Sequence, residues 1–150
     1  MRAVIQRVNH ATVYADSVLS GSIGKGFYIL LGVGEGDDEK DARLLAAKIS
    51  KTRIFSDENG KMNLALADVG GEVMVVSNFT LLANYSHGNR PDYISAAKPD
   101  LAKRLYEYFV KLLKECGFKV ETGVFGADMR TEMSTDGPVT IVMESSILRK

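Results

Sequence analysis

The sequence predicts an α+β fold, on three observations. Its first third reads as short strands, two later segments carry helical apolar spacing, and its tail returns to strands. Met1 to Val8 sets apolar Val4 and Val8 against polar Arg2, Gln6 and Arg7, an imperfect strand alternation. Ala11 to Ala15 reads as a separate short strand. Val18 to Ile23 and Phe27 to Val33 flank Gly24-Lys25-Gly26, a hairpin signal. The run Phe27-Tyr28-Ile29-Leu30-Leu31 calls for cover on both faces. Lys40 to Lys51 follows Asp37-Asp38-Glu39 and ends on Lys48 and Lys51, the charge order a helix dipole favours; Ala42, Leu45, Ala46 and Ile49 form its apolar stripe.

Residues 52–70 hold a short strand at Ile54-Phe55 and a turn at Asp57-Glu58-Asn59-Gly60. Glu72 to Phe79 reads as a central strand and 84–98 as loop. A second helix runs from Pro99 to Cys116 on the stripe Leu101, Leu105, Phe109 and Leu112, with proline at its start and Gly117 past its end. Three strands are expected near 118–125, 129–134 and 138–146.

The chain has 150 residues, 45% apolar and 25% charged. That fits one domain, which buries roughly 70% of its unfolded surface. Cys116 is the only cysteine, so no internal disulfide and no Cys-based zinc site is available. No apolar run approaches a membrane span, and no signal peptide is evident, so a soluble, cytoplasmic protein is expected. Nineteen basic residues balance nineteen acidic ones. Zero net charge argues against sequence-independent coating of nucleic acid and leaves a local basic patch open.

Standard catalytic constellations are absent. Two histidines, His10 and His87, do not make a multi-histidine metal site, and there is neither a nucleophile elbow nor a phosphate-binding loop. Ser77, His87 and Asp92 form a triad on paper only; His87 in a polar loop reads better as a solvated side chain. Three segments remain. Ser77-Asn78-Phe79-Thr80-Leu81 puts hydroxyls and an amide where a buried strand ends, either to bind a ligand and stabilise an oxyanion or simply to close the strand. Asp136-Gly137-Pro138-Val139-Thr140 is either a plain turn or a rigid seat for an ammonium group. Gly123-Val124-Phe125-Gly126-Ala127-Asp128-Met129 is either a bulged hairpin or a bend that accepts a flat ring.

Together these segments resemble the D-aminoacyl-tRNA deacylase family. The likeness covers nearly the whole chain, through Met1-Arg2-Ala3-Val4-Ile5-Gln6-Arg7-Val8, Arg53-Ile54-Phe55, Gly60-Lys61-Met62-Asn63-Leu64, Phe125-Gly126-Ala127-Asp128-Met129 and Asp136-Gly137-Pro138-Val139-Thr140. The resemblance implies a homodimer with an antiparallel-rich, barrel-like β core and flanking helices. It implies hydrolysis of the ester between a D-amino acid and the terminal adenosine of tRNA, without a cofactor or metal. Glycyl-tRNA is a further expected substrate. The family's Gly-Pro turn is cis and enters the partner subunit's site, so Gly137 and Pro138 would receive the substrate ammonium and exclude an L side chain. The family motif Ser-Gln-Phe-Thr-Leu is here Ser77-Asn78-Phe79-Thr80-Leu81, with an amide arm one methylene shorter.

Two mechanisms follow from the resemblance. Thr80 attacks as a nucleophile, or the terminal ribose 2′-hydroxyl assists while backbone N–H groups at Phe79 and Thr80 hold the oxyanion. The second is preferred, because no base for Thr80 is evident. Ser77 completes the catalytic set. The resemblance implies that Met129 and Phe125 line the adenosine pocket with Asn78 nearby and that basic residues of 84–98 meet acceptor-end phosphates, while Arg7 either braces the Gly-Pro turn or is an ordinary surface arginine. The rivals are a deacylase for L-alanine mischarged to tRNA and a non-enzymatic nucleic-acid-binding module.

Overall fold

One strand organises the molecule. In a computed structural model describing residues 1–150, β1 (Arg2–Ala15) pairs with three other strands. Along one edge it runs antiparallel to β8 (Met129–Glu144), from Arg2 opposite Glu144 to Ala15 opposite Met129. Its other edge is shared: residues 2–8 pair with β3 (Gly26–Gly32), and residues 11–15 with β2 (Val18–Ile23). β6 (Glu72–Ser77) joins β3 and β7 (Val120–Thr122) joins β6, both in parallel. The sheet curls until β2 meets β7, where the Ser20 hydroxyl donates to the Thr122 carbonyl at 2.7 Å. The result is a nearly closed barrel.

The strands differ from expectation where pairing slips. The sequence suggests two strands before residue 16, but β1 is continuous. Its buried residues are Ala3 and Ile5, then Val8, then Ala11, Val13 and Ala15. The change of phase coincides with register shifts at Gln6/Val8 and Val8/His10, and bulges of this kind hide alternation. The two expected tail strands are likewise one, β8. The strand expected over 118–125 contracts to three residues. β6 stops at Ser77, two residues before the expected end at Phe79, because Asn78 turns the chain. Two pairings are parallel, so the antiparallel character belongs to the ladders of β1. A hairpin of β4 (Arg53–Ser56) and β5 (Met62–Ala65) and a terminal turn α3 (Ser145–Leu148) complete the chain.

Helices α1 (Glu39–Ser50) and α2 (Pro99–Glu115) cover one face of the sheet. Asp38 caps α1, accepting from the N–H groups of Lys40 and Asp41, while the Asp41 carboxylate accepts from the Asp38 N–H. Such a capping box satisfies donors that the first turn cannot pair internally. Leu45 and Ile49 of α1 and Leu105, Phe109 and Leu113 of α2 join Ile5, Ile29 and Val75 in the main core. The alternate residues Tyr28, Met74 and Val76 face the other way, into a second cluster with Val8, Val13 and Ile23. That explains the unbroken apolar run of β3, which is covered on both faces. Near the end of the chain, Arg149 binds the carboxylates of Asp38 and Asp41, each at 2.6 Å, and holds the Asp41 carboxyl well below the usual carboxylate range. No helix is long and apolar enough to cross a membrane.

Candidate active site

The site begins where β6 runs out. Val73 to Val76 are buried, and Ser77 makes the last pair, with Leu31 of β3. Asn78 then caps a 3₁₀ turn over Phe79–Leu82. Its Oδ1 accepts from the Thr80 N–H at 3.1 Å and also from the Thr80 hydroxyl. The turn lies against β3 because position 32 is glycine. A Cβ there would meet Leu82 Cδ2 and come within 3.1 Å of the Asn78 carbonyl oxygen. From the far side, the Arg2 guanidinium donates to the Leu81 carbonyl at 2.7 Å while also binding Glu144.

This geometry revises one expectation. Asn78 occupies the Thr80 N–H, which leaves the Phe79 N–H, the first donor of the turn, with no acceptor inside the turn. Thr80 itself is exposed and its hydroxyl faces an amide oxygen, which is not a base.

Behind the turn lies a chamber of about 700 Å³ between β3 and β6, the start of α2, and residues 125–129. Ser77, Asn78 and Phe79 line one side, Phe125 and Met129 another. Aromatic rings define its walls. Phe79 meets Tyr93 edge to face, with ring centres 5.0 Å apart, and Tyr106 tilts against Phe125 at 5.9 Å. The buried tyrosines are both bonded: Tyr106 donates to the Val75 carbonyl at 2.8 Å, and the Tyr28 hydroxyl lies 2.8 Å from Thr131 Oγ1. Burial pushes both phenols above the ordinary tyrosine value, so both are neutral at neutral pH. No carboxylate, imidazole, thiol or amine lines the chamber.

The other motif sits elsewhere. Between Thr135, opposite Val8, and Thr140, opposite Gln6, residues 136–139 have no partner on β1 and bulge outward. The Gly137–Pro138 bond is cis. Gly137 has φ +150, and a Cβ on it would collide with the Val139 backbone nitrogen. Arg7, only 11% exposed at its side chain, holds the base of this corner. Its Nε donates to the Asp136 carbonyl at 3.1 Å and lies 3.2 Å from the Asp136 carboxylate, while Nη1 donates to the Ile54 carbonyl at 2.7 Å. Gly137 and Pro138 are exposed and do not line the chamber of their own chain.

The structure thus gathers Ser77, Asn78, Phe79, Phe125 and Met129 around one space, with Thr80 adjoining. It gathers Arg7, Gly137 and Pro138 at a second place. The paper triad does not form. His87 is exposed in its loop, and Asp92 instead accepts from the Asn84 amide at 3.0 Å and from the Ile94 N–H. No three His, Cys, Asp or Glu side chains converge as a metal site would need. Sequence reasoning missed Tyr28, Tyr93, Tyr106 and Thr131. Tyr28 carried a signal, since a hydroxyl in a strand covered on both faces must find a partner.

A solved structure titled as a probable eukaryotic D-amino acid tRNA deacylase superposes with a TM-score of 0.82 at 14% identity, covering 95% of this chain and 98% of that one. The two chains therefore share a fold. A family model described as D-Tyr-tRNA(Tyr) deacylase matches residues 4–144, and the chain belongs to that family. Proteins named D-aminoacyl-tRNA deacylase from Anaeromyxobacter dehalogenans and Lactobacillus acidophilus are each 54% identical to it. The first alignment covers 97% of both chains, the second 96% of this chain and 99% of the relative. A structure titled c-Myc DNA Unwinding Element Binding Protein matches with a TM-score of 0.89 at 35% identity, over 96% of this chain and 98% of that one.

Proposed function

We propose that this protein is a cytoplasmic homodimer that hydrolyses the ester of D-aminoacyl-tRNA, with glycyl-tRNA as a second substrate. One observation carries the reading: in a chain of this family, the polar turn at Asn78 opens onto an aromatic chamber that holds no ionisable base. Chambers of this size suit a nucleoside. An aminoacyl ester is activated, so positioning and one or two oxyanion donors suffice.

The terminal adenosine lies between Phe125 and Met129. The ester carbonyl points at the Phe79 N–H, with Ser77 beside it. Water, assisted by the ribose 2′-hydroxyl, adds to the carbonyl carbon. The Phe79 N–H stabilises the resulting oxyanion, and Asn78 keeps the turn in place. The acyl–oxygen bond then breaks, the ribose oxygen takes a proton, and free amino acid and tRNA leave. The partner subunit lends its Gly137 and Pro138 carbonyls to the substrate ammonium, and that corner leaves no room for an L side chain.

The c-Myc element-binding neighbour favours a second reading, nucleic-acid binding without hydrolysis. Zero net charge weighs against it. The test is a deacylation assay on D-tyrosyl-, L-tyrosyl-, L-alanyl- and glycyl-tRNA. Release from the D-tyrosyl and glycyl substrates with the L-esters intact is the expected result. Release from L-alanyl-tRNA alone would assign the mischarged-alanine activity, and no release at all would leave the binding role.

A further inference from the structure

The chamber has a charged neighbour. Beyond Tyr106 and Phe125, which border both spaces, a groove of about 580 Å³ runs between α2 and residues 122–125. Its helical wall carries Lys103, Glu107, Lys111 and Lys114. At 3.6 residues per turn these four lie within a face about 80° wide. The opposite wall, Thr122 to Phe125, brings no charge. Lys103 and Lys114 form no ion pair, and Lys111 meets only Glu115, at 3.8 Å between two exposed side chains. By contrast Arg2, Arg7, Arg43, Arg130 and Arg149 are all engaged by carboxylates.

We propose that this groove holds the phosphodiester backbone of the substrate's own 3′ strand while its terminal adenosine occupies the chamber. The inference rests on the deacylase reading and extends it. The chamber's lining offers no cation for a phosphate. A chain with no net charge must attract a polyanion locally, and the lysines bordering the chamber's aromatic wall are unpaired or only weakly paired. Lys103 to Lys114 span about 16 Å of helix, which matches roughly five phosphates of a stacked strand. Glu107, in the middle of the row, opposes the same ligand and gives the proposal a signed test.

The experiment compares two substrates, D-tyrosyl-tRNA and the D-tyrosyl ester of adenosine, which has no phosphate. With the triple variant Lys103→Gln, Lys111→Gln, Lys114→Gln, KM for the tRNA should rise about tenfold or more at physiological salt with kcat retained. The salt slope of log kcat/KM should flatten by about 2, at about 0.7 per single-strand phosphate contact. Glu107→Gln should lower KM for the tRNA severalfold. Neither variant should change turnover of the adenosine ester, which also shows that both are folded. An unchanged KM for tRNA, or equal losses on the two substrates, overturns the groove assignment. A wild-type protein that cleaves neither substrate overturns the deacylase reading instead.

Discussion

The turn at Asn78 and the corner at Gly137 solve opposite problems. Around the turn, polar groups other than the Phe79 N–H are answered within the chain: Asn78 by Thr80, Leu81 by Arg2, Tyr106 by Val75, Tyr28 by Thr131. The corner is held only from beneath. Arg7 fixes Asp136, while Gly137 and Pro138 project into solvent with no partner on β1. The comparison teaches that a single chain does not bring chamber and corner together; in the dimer we propose, they are the two parts of one site. In that proposed dimer the second copy supplies the corner, and the contact is reciprocal about a two-fold axis.

Removing Arg7 gives the sharpest break. Arg7→Ala deletes charge-assisted hydrogen bonds of about 1.5–3 kcal/mol each and leaves Asp136 without its cation. The corner loosens while the chamber stays intact. The expected outcome is a fall in D over L discrimination of about ten- to a hundredfold, about 1.4 kcal/mol per decade, read as the ratio of kcat/KM on D- and L-tyrosyl-tRNA. Mixing sharpens the comparison. Arg7→Ala chains exchanged with Asn78→Ala chains should regain about a quarter of wild-type sites, since half the dimers then hold one sound chamber facing one sound corner. No recovery on mixing, with dimers demonstrated, would place corner and chamber in the same subunit.

The turn should break differently. Asn78→Ala removes the cap of the 3₁₀ segment, worth about 0.5–2 kcal/mol, and frees the Thr80 N–H and hydroxyl together. The Phe79 N–H then loses its fixed direction. The expected outcome is a roughly tenfold lower kcat with unchanged D over L selectivity, measured in the same assay. Asn78→Gln restores an amide with a longer reach and should keep most of the activity. A selectivity loss in Asn78→Ala would erase the division of labour between the two regions.

The two regions also differed in how far the sequence revealed them. The helices were legible because caps and stripes are local: Asp38 before α1, Pro99 opening α2, Leu105 and Phe109 in register. β1 and β8 were not, because their alternation slips at Arg7 and again near His10, and a slip reads as a strand end. The same slip creates the corner, so the feature that hid the strand is the one that sets Gly137 and Pro138 outside the ladder. Ser77 to Thr80 stood out as polar residues closing an apolar strand. Tyr93 and Tyr106 did not, because they reach the chamber from a distant loop and helix, and only the folded chain brings them there.

The smallest expected effect concerns Thr80, and it decides the chemistry. As a nucleophile, its hydroxyl would need a base within hydrogen-bond reach. Its observed partner is the Asn78 amide oxygen, and the chamber holds no group that titrates near neutrality. Burial raises Tyr28 and Tyr106, so neither phenol becomes a phenolate base at assay pH. Thr80→Ala therefore removes one hydroxyl hydrogen bond, about 1 kcal/mol, and should retain hydrolysis to within about fivefold. Any inflection of kcat/KM between about pH 6 and 9 should belong to the substrate amine and remain in place in Tyr28→Phe. A covalent ester trapped on Thr80, or a Thr80→Ala variant inert on D-tyrosyl-tRNA yet folded by thermal melting, would move the chemistry from the substrate's ribose to the protein. The turn would then have to act as nucleophile as well as oxyanion donor, a task for which it shows no base.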